Sequence, residues 1–239
     1  MTGLRVDHLS YAYGAKQALN DVTFSVEQGS FCALLGPNGA GKSTLFALLT
    51  RLFTSAQGTI EIAGHDMGQT PRKALREMGV VFQQPTLDLD LTAQRNMTYF
   101  AALHGLSGKE AQHRIDAALD RLDMRERAGE IVRNLNGGHR RRLEIARSLV
   151  HTPKVLLLDE PTVGLDAAAR RSITDHVHAL SETEGLTVLW ATHLADEIRD
   201  TDQLLILHQG ALLQQGLTGE LRAGEPLADH FLAMTGATA

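Results

Sequence analysis

The chain has little of what marks secreted or membrane-spanning proteins. It contains a single cysteine, Cys32, so no disulfide can form within it, and this is typical of a reducing, cytosolic setting. Its longest apolar runs, such as residues 155–158 and 204–207, have the length of strands, whereas a helix needs ~20 residues to cross a bilayer. No charged-then-apolar signal segment opens the sequence. We therefore expect a chain that lies outside the bilayer, with Cys32 as a small buried hydrophobic residue.

The sequence also lacks an excess of basic residues. Lys and Arg number 23 against 28 Asp and Glu, for a formal net charge of -5. This balance argues against a general nucleic-acid-binding surface, and we expect no nucleic-acid partner. Internal repeats and low-complexity linkers are missing as well, and 43% hydrophobic with 21% charged residues is ordinary for a globular protein. A length of 239 residues allows one or two domains.

The first third of the chain shows two kinds of strand pattern. Apolar residues alternate with polar ones at residues 4–6, 22–26 and 58–64, which predicts half-buried strands of an antiparallel sheet. Residues 31–35 form a continuous apolar run and predict a buried strand. Residues 79–82 are also short and apolar, and we expect them to form a central strand.

The remainder changes from a helical to an alternating pattern. From about residue 91 to residue 150 the apolar spacing is helical, and Ser107 with Glu110 has capping-box spacing. Beyond Pro153, a helix over residues 167–180 alternates with apolar strands at residues 155–158, 186–190 and 204–207. This predicts an α/β fold with a mostly parallel, doubly wound sheet. The last dozen residues carry few apolar anchors, and we expect them to fray.

One glycine-rich turn carries the clearest chemical signal. It follows the apolar run and opens directly into a helix-forming segment, and it consists of Gly36, Pro37, Asn38, Gly39, Ala40, Gly41, Lys42, Ser43 and Thr44. The strand–loop–helix context and the spacing are those of a phosphate-binding loop. Glycines let backbone N–H groups turn toward an anion, and a helix that starts near Gly41 adds its positive dipole end. Lys42 then neutralises β- and γ-phosphates, and the Ser43 hydroxyl is a Mg²⁺ ligand.

Two carboxylates follow a later apolar strand. Asp159 and Glu160 come directly after residues 155–158, so a parallel strand delivers them to the carboxyl edge of the sheet, beside the glycine-rich turn. There Asp159 can hold Mg²⁺ through water. Glu160 can polarise the water that attacks the γ-phosphate. The pair predicts hydrolysis of a bound nucleoside triphosphate.

Six short motifs occur in a fixed order along the chain: residues 36–44, 82–83, 135–139, 158–162, 164–166 and 192–193. With them, nearly the whole sequence from about Leu4 to Ala223 resembles the nucleotide-binding subunit of an ATP-binding cassette (ABC) transporter. The resemblance implies a P-loop NTPase fold with ATP and Mg²⁺ as cofactors. It also implies one ATPase domain over residues 1–239. The nucleotide-binding core of this domain, with its antiparallel β subdomain, comprises about residues 1–84 and 152–225. An inserted helical subdomain comprises about residues 85–151, and a C-terminal tail comprises residues 226–239.

The resemblance assigns roles to residues outside the turn. Tyr13 matches the aromatic residue that stacks on adenine, with Tyr11 as the alternative. Gln83 matches the glutamine that touches Mg²⁺ and the attacking water. His193 matches the histidine that senses the γ-phosphate and holds the catalytic glutamate, and Asp166 matches the aspartate that crosses the dimer interface.

The signature segment departs from the family. The usual Leu-Ser-Gly-Gly-Gln is Leu-Asn-Gly-Gly-His here, with Asn136, Gly137 and Gly138 at its centre. In the family this segment caps the γ-phosphate of ATP held by the opposite subunit. Asn136 is a good N-cap, so a helix should start near Gly137, and its amide NH₂ can still donate to a phosphate oxygen. We expect a working site, and the alternative is a degenerate signature with weak turnover in an asymmetric pair.

The resemblance implies partners and a location. A second nucleotide-binding subunit, as a homodimer, completes each ATP site, and an integral membrane permease holds the chain at the cytoplasmic face of the cell membrane. The sequence of residues 81–88 resembles the corresponding segment of export-type cassettes. The permease would dock in a groove lined by Phe82, Pro85, Leu87, Leu89, Tyr99 and Phe100, although at least half of these residues can instead belong to the helical core.

Three further features of the sequence bear on its function. A non-transport cassette ATPase that acts on ribosomes or DNA usually carries two cassettes or long arms, for which 239 residues leave little room. The tract Arg140, Arg141 and Arg142 either adds positive potential near the phosphates or the other subunit, or forms a solvated helix face. His176 and His178 are two apart on a helix, so a shared metal site is not expected.

Overall fold

The computed structural model describes residues 2–236. Its strands, in chain order, are β1 (Thr2–Tyr13), β2 (Lys16–Glu27), β3 (Phe31–Leu35), β4 (Gln57–Ile62), β5 (His65–Asp66), β6 (Met78–Val81), β7 (Val155–Asp159), β8 (Thr187–Thr192), β9 (Gln203–His208) and β10 (Ala211–Leu217). Its α-helices are α1 (Lys42–Leu49), α2 (Pro71–Arg76), α3 (Ala93–Leu103), α4 (Gly108–Arg121), α5 (Gly137–Leu149), α6 (Ala167–Glu184), α7 (Thr218–Leu221) and α8 (Leu227–Thr235). Short 3₁₀ turns occupy Arg125–Arg127, Val132–Asn134 and Ala195–Glu197.

The strands form two sheets. A four-stranded sheet has the order β2-β1-β4-β5, and all its pairs are antiparallel. A six-stranded sheet has the order β10-β9-β3-β8-β7-β6, in which only the β10–β9 pair is antiparallel. The predicted mostly parallel sheet and the separate antiparallel sheet are therefore confirmed. Because strands β3, β7 and β8 run in parallel, their carboxyl ends meet at one edge.

Both faces of the larger sheet are buried. Along β7, Leu156 and Leu158 pack with the helices after β6, whereas Val155 and Leu157 pack with α1 and the antiparallel sheet. This follows from the alternation of side chains along a strand. The expected burial of Cys32 is confirmed, since it lies fully buried in β3, and that burial raises the pKa of its thiol.

The strand β6 differs from the prediction in its position. We expected a central strand, but β6 lies at the edge of the sheet beside β7. Both faces of β6 are nevertheless covered, since Val81 packs with the helices and Met78 with α1 and the antiparallel sheet, and a side chain on Gly79 would approach the Ser148 carbonyl oxygen of α5 to 2.7 Å. A helix that covers an edge strand makes it as apolar as a central one, so composition could not separate the two.

Three helices, α3, α4 and α5, lie between β6 and β7 in the chain. Helix α4 begins directly after Ser107 as expected, but the Ser107 side chain makes no capping hydrogen bond. Glu110 instead pairs with Arg114 at 2.8 Å one turn along. The capping box was therefore wrong, although the helix start was right. None of the helices within residues 2–236 combines the length and apolar character needed to span a membrane.

The chain end differs from expectation too. Leu227–Thr235 forms α8, and its Leu227 and Phe231 pack on Ala33 and Ile206 of the larger sheet. Two well-spaced apolar residues thus anchor a segment that we expected to fray. Residues 237–239, the end of the predicted tail, lie outside the described residues.

Candidate functional site

The glycine-rich turn joins β3 to α1 at the carboxyl edge of the larger sheet. Gly39 and Gly41 have φ values of 81° and 113°, in the left-handed region that glycine adopts without steric cost. Gly36 donates its N–H to the Thr192 carbonyl at 3.2 Å. A side chain at Gly36 would meet the Leu207 carbonyl oxygen at 2.6 Å. The turn is therefore held tightly against the ends of β8 and β9, and α1 begins at Lys42 as predicted.

Three predicted site residues meet around the carboxylate of a fourth, Glu160. Glu160 Oε1 lies 3.1 Å from Lys42 Nζ, and Glu160 Oε2 lies 3.4 Å from Gln83 Nε2 and 3.5 Å from His193 Nδ1. Lys42 also donates to the Gly36 carbonyl at 2.5 Å. Gln83 and Glu160 are 77 positions apart, so only the fold brings them together.

Glu160 has an unusual backbone as well as this set of neighbours. Its φ is 46°, a left-handed conformation that costs a non-glycine residue free energy. The Glu160 N–H donates to the Ala191 carbonyl at 3.0 Å, which holds this conformation in place. Its side chain is buried beside those of Lys42 and Gln83. Strained backbone of this kind is found at functional sites.

Asp159 has the environment expected of a metal-associated carboxylate. Its Oδ1 is buried and has no hydrogen-bond partner within residues 2–236. Burial, and then the negative charge of Glu160, raise the pKa of Asp159 to about 6, while Lys42 and the Ser43 hydroxyl oppose that rise. An orphaned buried oxygen beside a hydroxyl fits an oxygen-coordinated divalent cation. Ser43, Asp159 and Gln83 are therefore the residues that could hold Mg²⁺, together with phosphate oxygens and water.

The two candidate tyrosines have different surroundings. The Tyr13 hydroxyl lies 3.3 Å from Thr44 Oγ1, and the ring is 47% exposed at the mouth of the turn. Tyr11 instead stacks on Phe53, with ring centroids 5.6 Å apart. Tyr13 meets both rings edge-on. Only Tyr13 presents a free face beside the turn, so the geometry favours it over Tyr11.

A cavity of about 470 Å³ lies over the turn. Its wall contains Tyr13, residues 37–44, Gln83 and Glu160, as predicted, together with Lys16, Gln17, Ala18, Gln209 and Gly210, which we had not predicted. Among these residues, Lys16 is the one that the sequence could have indicated, because it is a basic residue close to Tyr13 in the chain. Gln17 and Ala18 lie at the start of β2, and Gln209 and Gly210 form the β9–β10 turn. These four residues carry no sequence signal.

The signature segment does not line this cavity. Asn136 caps α5, with its Oδ1 accepting from the His139 N–H at 2.8 Å, and its Nδ2 has no partner within the described range 2–236. Asp166 caps α6 in the same way through the Ala169 N–H. Side chains at Gly137 and Gly138 would meet Leu165 and Ala169 at 3.2 and 3.3 Å. The two caps thus lie close together, and neither is among the residues that line the cavity over the phosphate loop.

The arginine tract matches neither interpretation that the sequence allowed. Arg141 is buried and donates to the carbonyls of Phe82 and Gln83 at 2.8 and 2.9 Å, and to Glu144 at 2.9 Å. Arg140 donates to the Val132 and Arg133 carbonyls. Arg142 donates to Ser172 Oγ at 2.6 Å. All three side chains therefore hold the fold, and Arg141 fixes the segment that carries Gln83.

The predicted groove residues divide between core and surface. Leu87 is buried and Leu89 packs against the helical core, whereas Pro85 and Tyr99 are exposed and Phe82 and Phe100 are half-buried. Both histidines of α6 have structural roles. His178 is buried against Asp202 and stacks on Phe31, and no group of three or more His, Cys, Asp or Glu side chains placed to hold a metal occurs within residues 2–236.

The chain is similar to proteins of one family. A family model described as "ABC transporter" matches residues 19–163. A putative ABC transporter ATP-binding protein of Streptomyces avermitilis is 40% identical, over 94% of this chain and 86% of that protein. Daunorubicin resistance ATP-binding protein DrrA3 of Streptomyces coeruleorubidus is 37% identical, over 93% of this chain and 70% of that protein. A structure described as dimeric MJ0796, a bacterial ABC transporter cassette, is 26% identical with a TM-score of 0.79, over 90% of this chain and 98% of that one.

Proposed function

The chain belongs to the ATP-binding cassette transporter family, and on that premise we propose that it hydrolyses Mg²⁺-ATP to drive export through a separate membrane-spanning subunit. It is an ATP-binding subunit of that family. The observation that carries the proposal is the convergence of Lys42, Gln83 and His193 on the carboxylate of Glu160.

ATP occupies the cavity above the turn in this proposal. Adenine stacks on the exposed face of Tyr13, and the triphosphate lies along residues 36–44 with its charge toward the N-terminus of α1. Lys42 leaves Glu160 and turns to the β- and γ-phosphates. Ser43, Asp159 and Gln83 would hold Mg²⁺, which would supply charge neutralisation on the phosphate oxygens.

Hydrolysis needs one water in line with the γ-phosphate. Glu160 accepts a hydrogen bond from that water and orients it, because its carboxylate is released when Lys42 moves to the phosphates. His193 and Gln83 keep the carboxylate in place from the other side. Lys42 and the loop amides stabilise the charge that develops on the phosphoryl group.

The site is completed by a second copy. Asn136, Gly137 and Gly138 lie away from the chain's own cavity, so they serve the ATP of a partner chain, and Asp166 lies beside them at the same interface. The structural relative MJ0796 is described as dimeric. Two identical chains related by a twofold axis provide two such sites.

The remaining proposals concern location and coupling. A permease docks on the exposed residues beside Gln83, which include Pro85 and Tyr99, and it places the chain at the cytoplasmic face of the membrane. Residues 85–151 act as a subdomain that moves against the core of residues 1–84 and 152–225 when ATP binds. Export is supported by the relative DrrA3, whose name describes it as a daunorubicin resistance protein. The transported substrate is set by the permease.

The test is ATP turnover as a function of protein concentration. We expect the specific activity of the purified chain to rise with concentration as dimers form, and to rise further with its permease in vesicles. Full specific activity at dilutions where only monomer is present would contradict the shared site. Export of substrate from vesicles only with Mg²⁺-ATP would support coupling, and its absence in active vesicles would contradict it.

A second candidate function is a nucleotide switch with weak turnover. The observation that favours it is Asn136 in place of the usual serine. Its Oδ1 caps α5 by accepting from the His139 N–H, and only its Nδ2 group can donate to a phosphate oxygen. Binding of ATP that drives dimerisation with almost no release of phosphate would support this function over the first.

A further inference from the structure

Glu197 is a buried carboxylate to which neither the sequence nor the proposed mechanism gives a role. It ends the 3₁₀ turn Ala195–Glu197 and is only 5% exposed. Its Oε2 accepts from Thr192 Oγ1 at 2.7 Å and from Trp190 Nε1 at 3.0 Å. Its Oε1 accepts from the hydroxyl of Thr162. Three donors from two separate segments thus converge on one side chain.

Two of these donors flank the candidate catalytic residues. Thr162 is two positions after Glu160 in the turn that leads to α6, and Thr192 directly precedes His193. Both threonines are fully buried, at 1% and 2% exposure. Glu197 therefore links the segment that carries Glu160 to the segment that carries His193. Glu160 Oε2 and His193 Nδ1 lie 3.5 Å apart.

The direction of the Thr192 hydrogen bond is determined by its neighbours. The Thr192 hydroxyl accepts from the Leu194 N–H at 3.0 Å, so its own proton is free to donate to Glu197. The Thr192 carbonyl also accepts from the Gly36 N–H of the phosphate loop. The same residue is thus tied to Glu197 and to the start of that loop.

The carboxylate is satisfied without a cation. Among residues 2–236 no basic side chain pairs with Glu197, and its burial is balanced by the three donors alone. Hydrogen bonds to a charged acceptor are stronger than those between neutral groups, and removing one leaves a buried polar atom unsatisfied. Such an arrangement specifies one geometry for the segments it joins.

We propose that Glu197 is a positioning residue for hydrolysis, which acts through Thr162 and Thr192. It holds the Glu160 and His193 segments in register at the site of the attacking water. It does not touch the nucleotide, so it affects turnover and leaves affinity for ATP unchanged. This inference rests on the proposed ATPase function.

The test uses near-isosteric variants of the full-length dimeric protein. Thr162→Val and Thr192→Val each delete one donor, and Glu197→Gln keeps the size of the side chain but can accept through one oxygen only. We expect each variant to lower kcat about tenfold or more, as misplaced catalytic groups do. We expect KM for ATP, and the Kd of Mg²⁺-ATP measured by fluorescence, to stay within about twofold of the wild-type value.

Asp202→Asn is the matched control. Asp202 is another buried carboxylate, 2% exposed, and it accepts from His178. It precedes β9, at the edge of the sheet opposite the phosphate loop. We expect this variant to lose melting temperature but to keep wild-type kcat.

Two results would overturn the inference. One is wild-type kcat in both threonine variants, and the other is a loss of kcat that tracks the loss of melting temperature across all four variants, Asp202→Asn included. A wild-type protein that binds Mg²⁺-ATP as a dimer but never releases phosphate would instead overturn the proposed function itself.

Discussion

The ammonium nitrogen of Lys42 lies 3.1 Å from Oε1 of Glu160, and both side chains are almost fully buried. The cation that should bind phosphate and the carboxylate that should orient water are thus paired with each other. Because a buried charge requires a partner, the proposed mechanism has the arriving triphosphate replace Glu160 as the partner of Lys42. In this proposal Glu160 is freed only when the phosphates are in place, so that activation of water is coupled to occupancy of the site.

The substitution Glu160→Gln tests this carboxylate directly. The variant keeps the size and hydrogen-bonding atoms but loses the negative charge, so we expect ATP to bind while turnover falls about 100-fold or more. ATP should then hold the dimer closed, which size-exclusion chromatography with Mg²⁺-ATP measures. The exposed Glu27→Gln serves as the control and should behave like the wild type. Near-normal ATPase activity of Glu160→Gln would show that another residue orients the water.

The substitution Asp159→Asn should stabilise the nucleotide-free protein above pH 6. Burial raises the pKa of Asp159 to about 6 from an ordinary value of 3.8. The folded state therefore loses stability as pH rises through this window, because it must hold an ionised buried group. With 1.36 kcal/mol per pKa unit, the asparagine variant should gain roughly 1–3 kcal/mol at pH 8 and about half of that at pH 5.

Thermal melts at the two pH values measure this gain, and saturating Mg²⁺-ATP should reverse the order. Mg²⁺-ATP should stabilise the wild type more than the variant, since the variant has lost the charge that holds the metal. A variant that melts below the wild type at pH 8 without nucleotide would contradict the assignment.

The substitution Asn136→Ser tests the atypical signature. Serine restores the common residue and keeps the helix cap, so we expect turnover within about threefold of the wild type and unchanged stability. Asn136→Ala removes the cap and should cost ~1 kcal/mol, together with most of the turnover. A wild type without phosphate release that becomes active through Asn136→Ser would identify the natural segment as degenerate.

Tyr13 and Tyr11 belong to one aromatic cluster, so their variants show which of the two rings binds ATP. Tyr13→Ala removes the exposed ring and should weaken ATP binding about tenfold, since aromatic stacking contributes ~0.5–1.5 kcal/mol beyond burial. Tyr13→Phe keeps the ring and should bind normally. Tyr11→Ala loses the contact with Phe53 and should lower melting temperature more than affinity. A larger affinity loss in Tyr11→Ala, measured with a fluorescent ATP analogue, would exchange the two roles.

Arg141 should be the most costly of the three adjacent arginines to replace. Arg141→Ala leaves the buried Glu144 without its cation, and breaking such a pair costs roughly 3–5 kcal/mol. Arg142→Ala, whose side chain is only partly buried, provides the comparison and should cost about 1 kcal/mol. Urea unfolding measures both. An Arg141→Ala variant as stable as Arg142→Ala would show that the buried pair contributes little.

Much of the fold followed from local pattern. The apolar runs that became β3, β7, β8 and β9 were predicted within one or two residues, because continuous burial of a strand requires a continuous apolar run. The start of α1 and α5 was predicted from Gly41 and Asn136, since caps are local. The edge position of β6 was missed, because an edge strand that is covered on both faces has the same apolar pattern as a central strand.

The sequence by itself determined the order of motifs that marks the family, and it predicted the residues that we propose for the chemistry: the turn of residues 36–44 and the carboxylates after β7. Tertiary structure decided which of them meet. It brought Gln83 and His193 to Glu160, left Asn136 outside the wall of its own chain's cavity, buried Arg141 and joined Thr162 to Thr192 through Glu197. The physical reason is the distance along the chain between the residues that specify each feature. A glycine-rich turn or a cap is specified by neighbours in the chain, whereas a buried hydrogen bond between distant residues exists only after the strands have chosen their order.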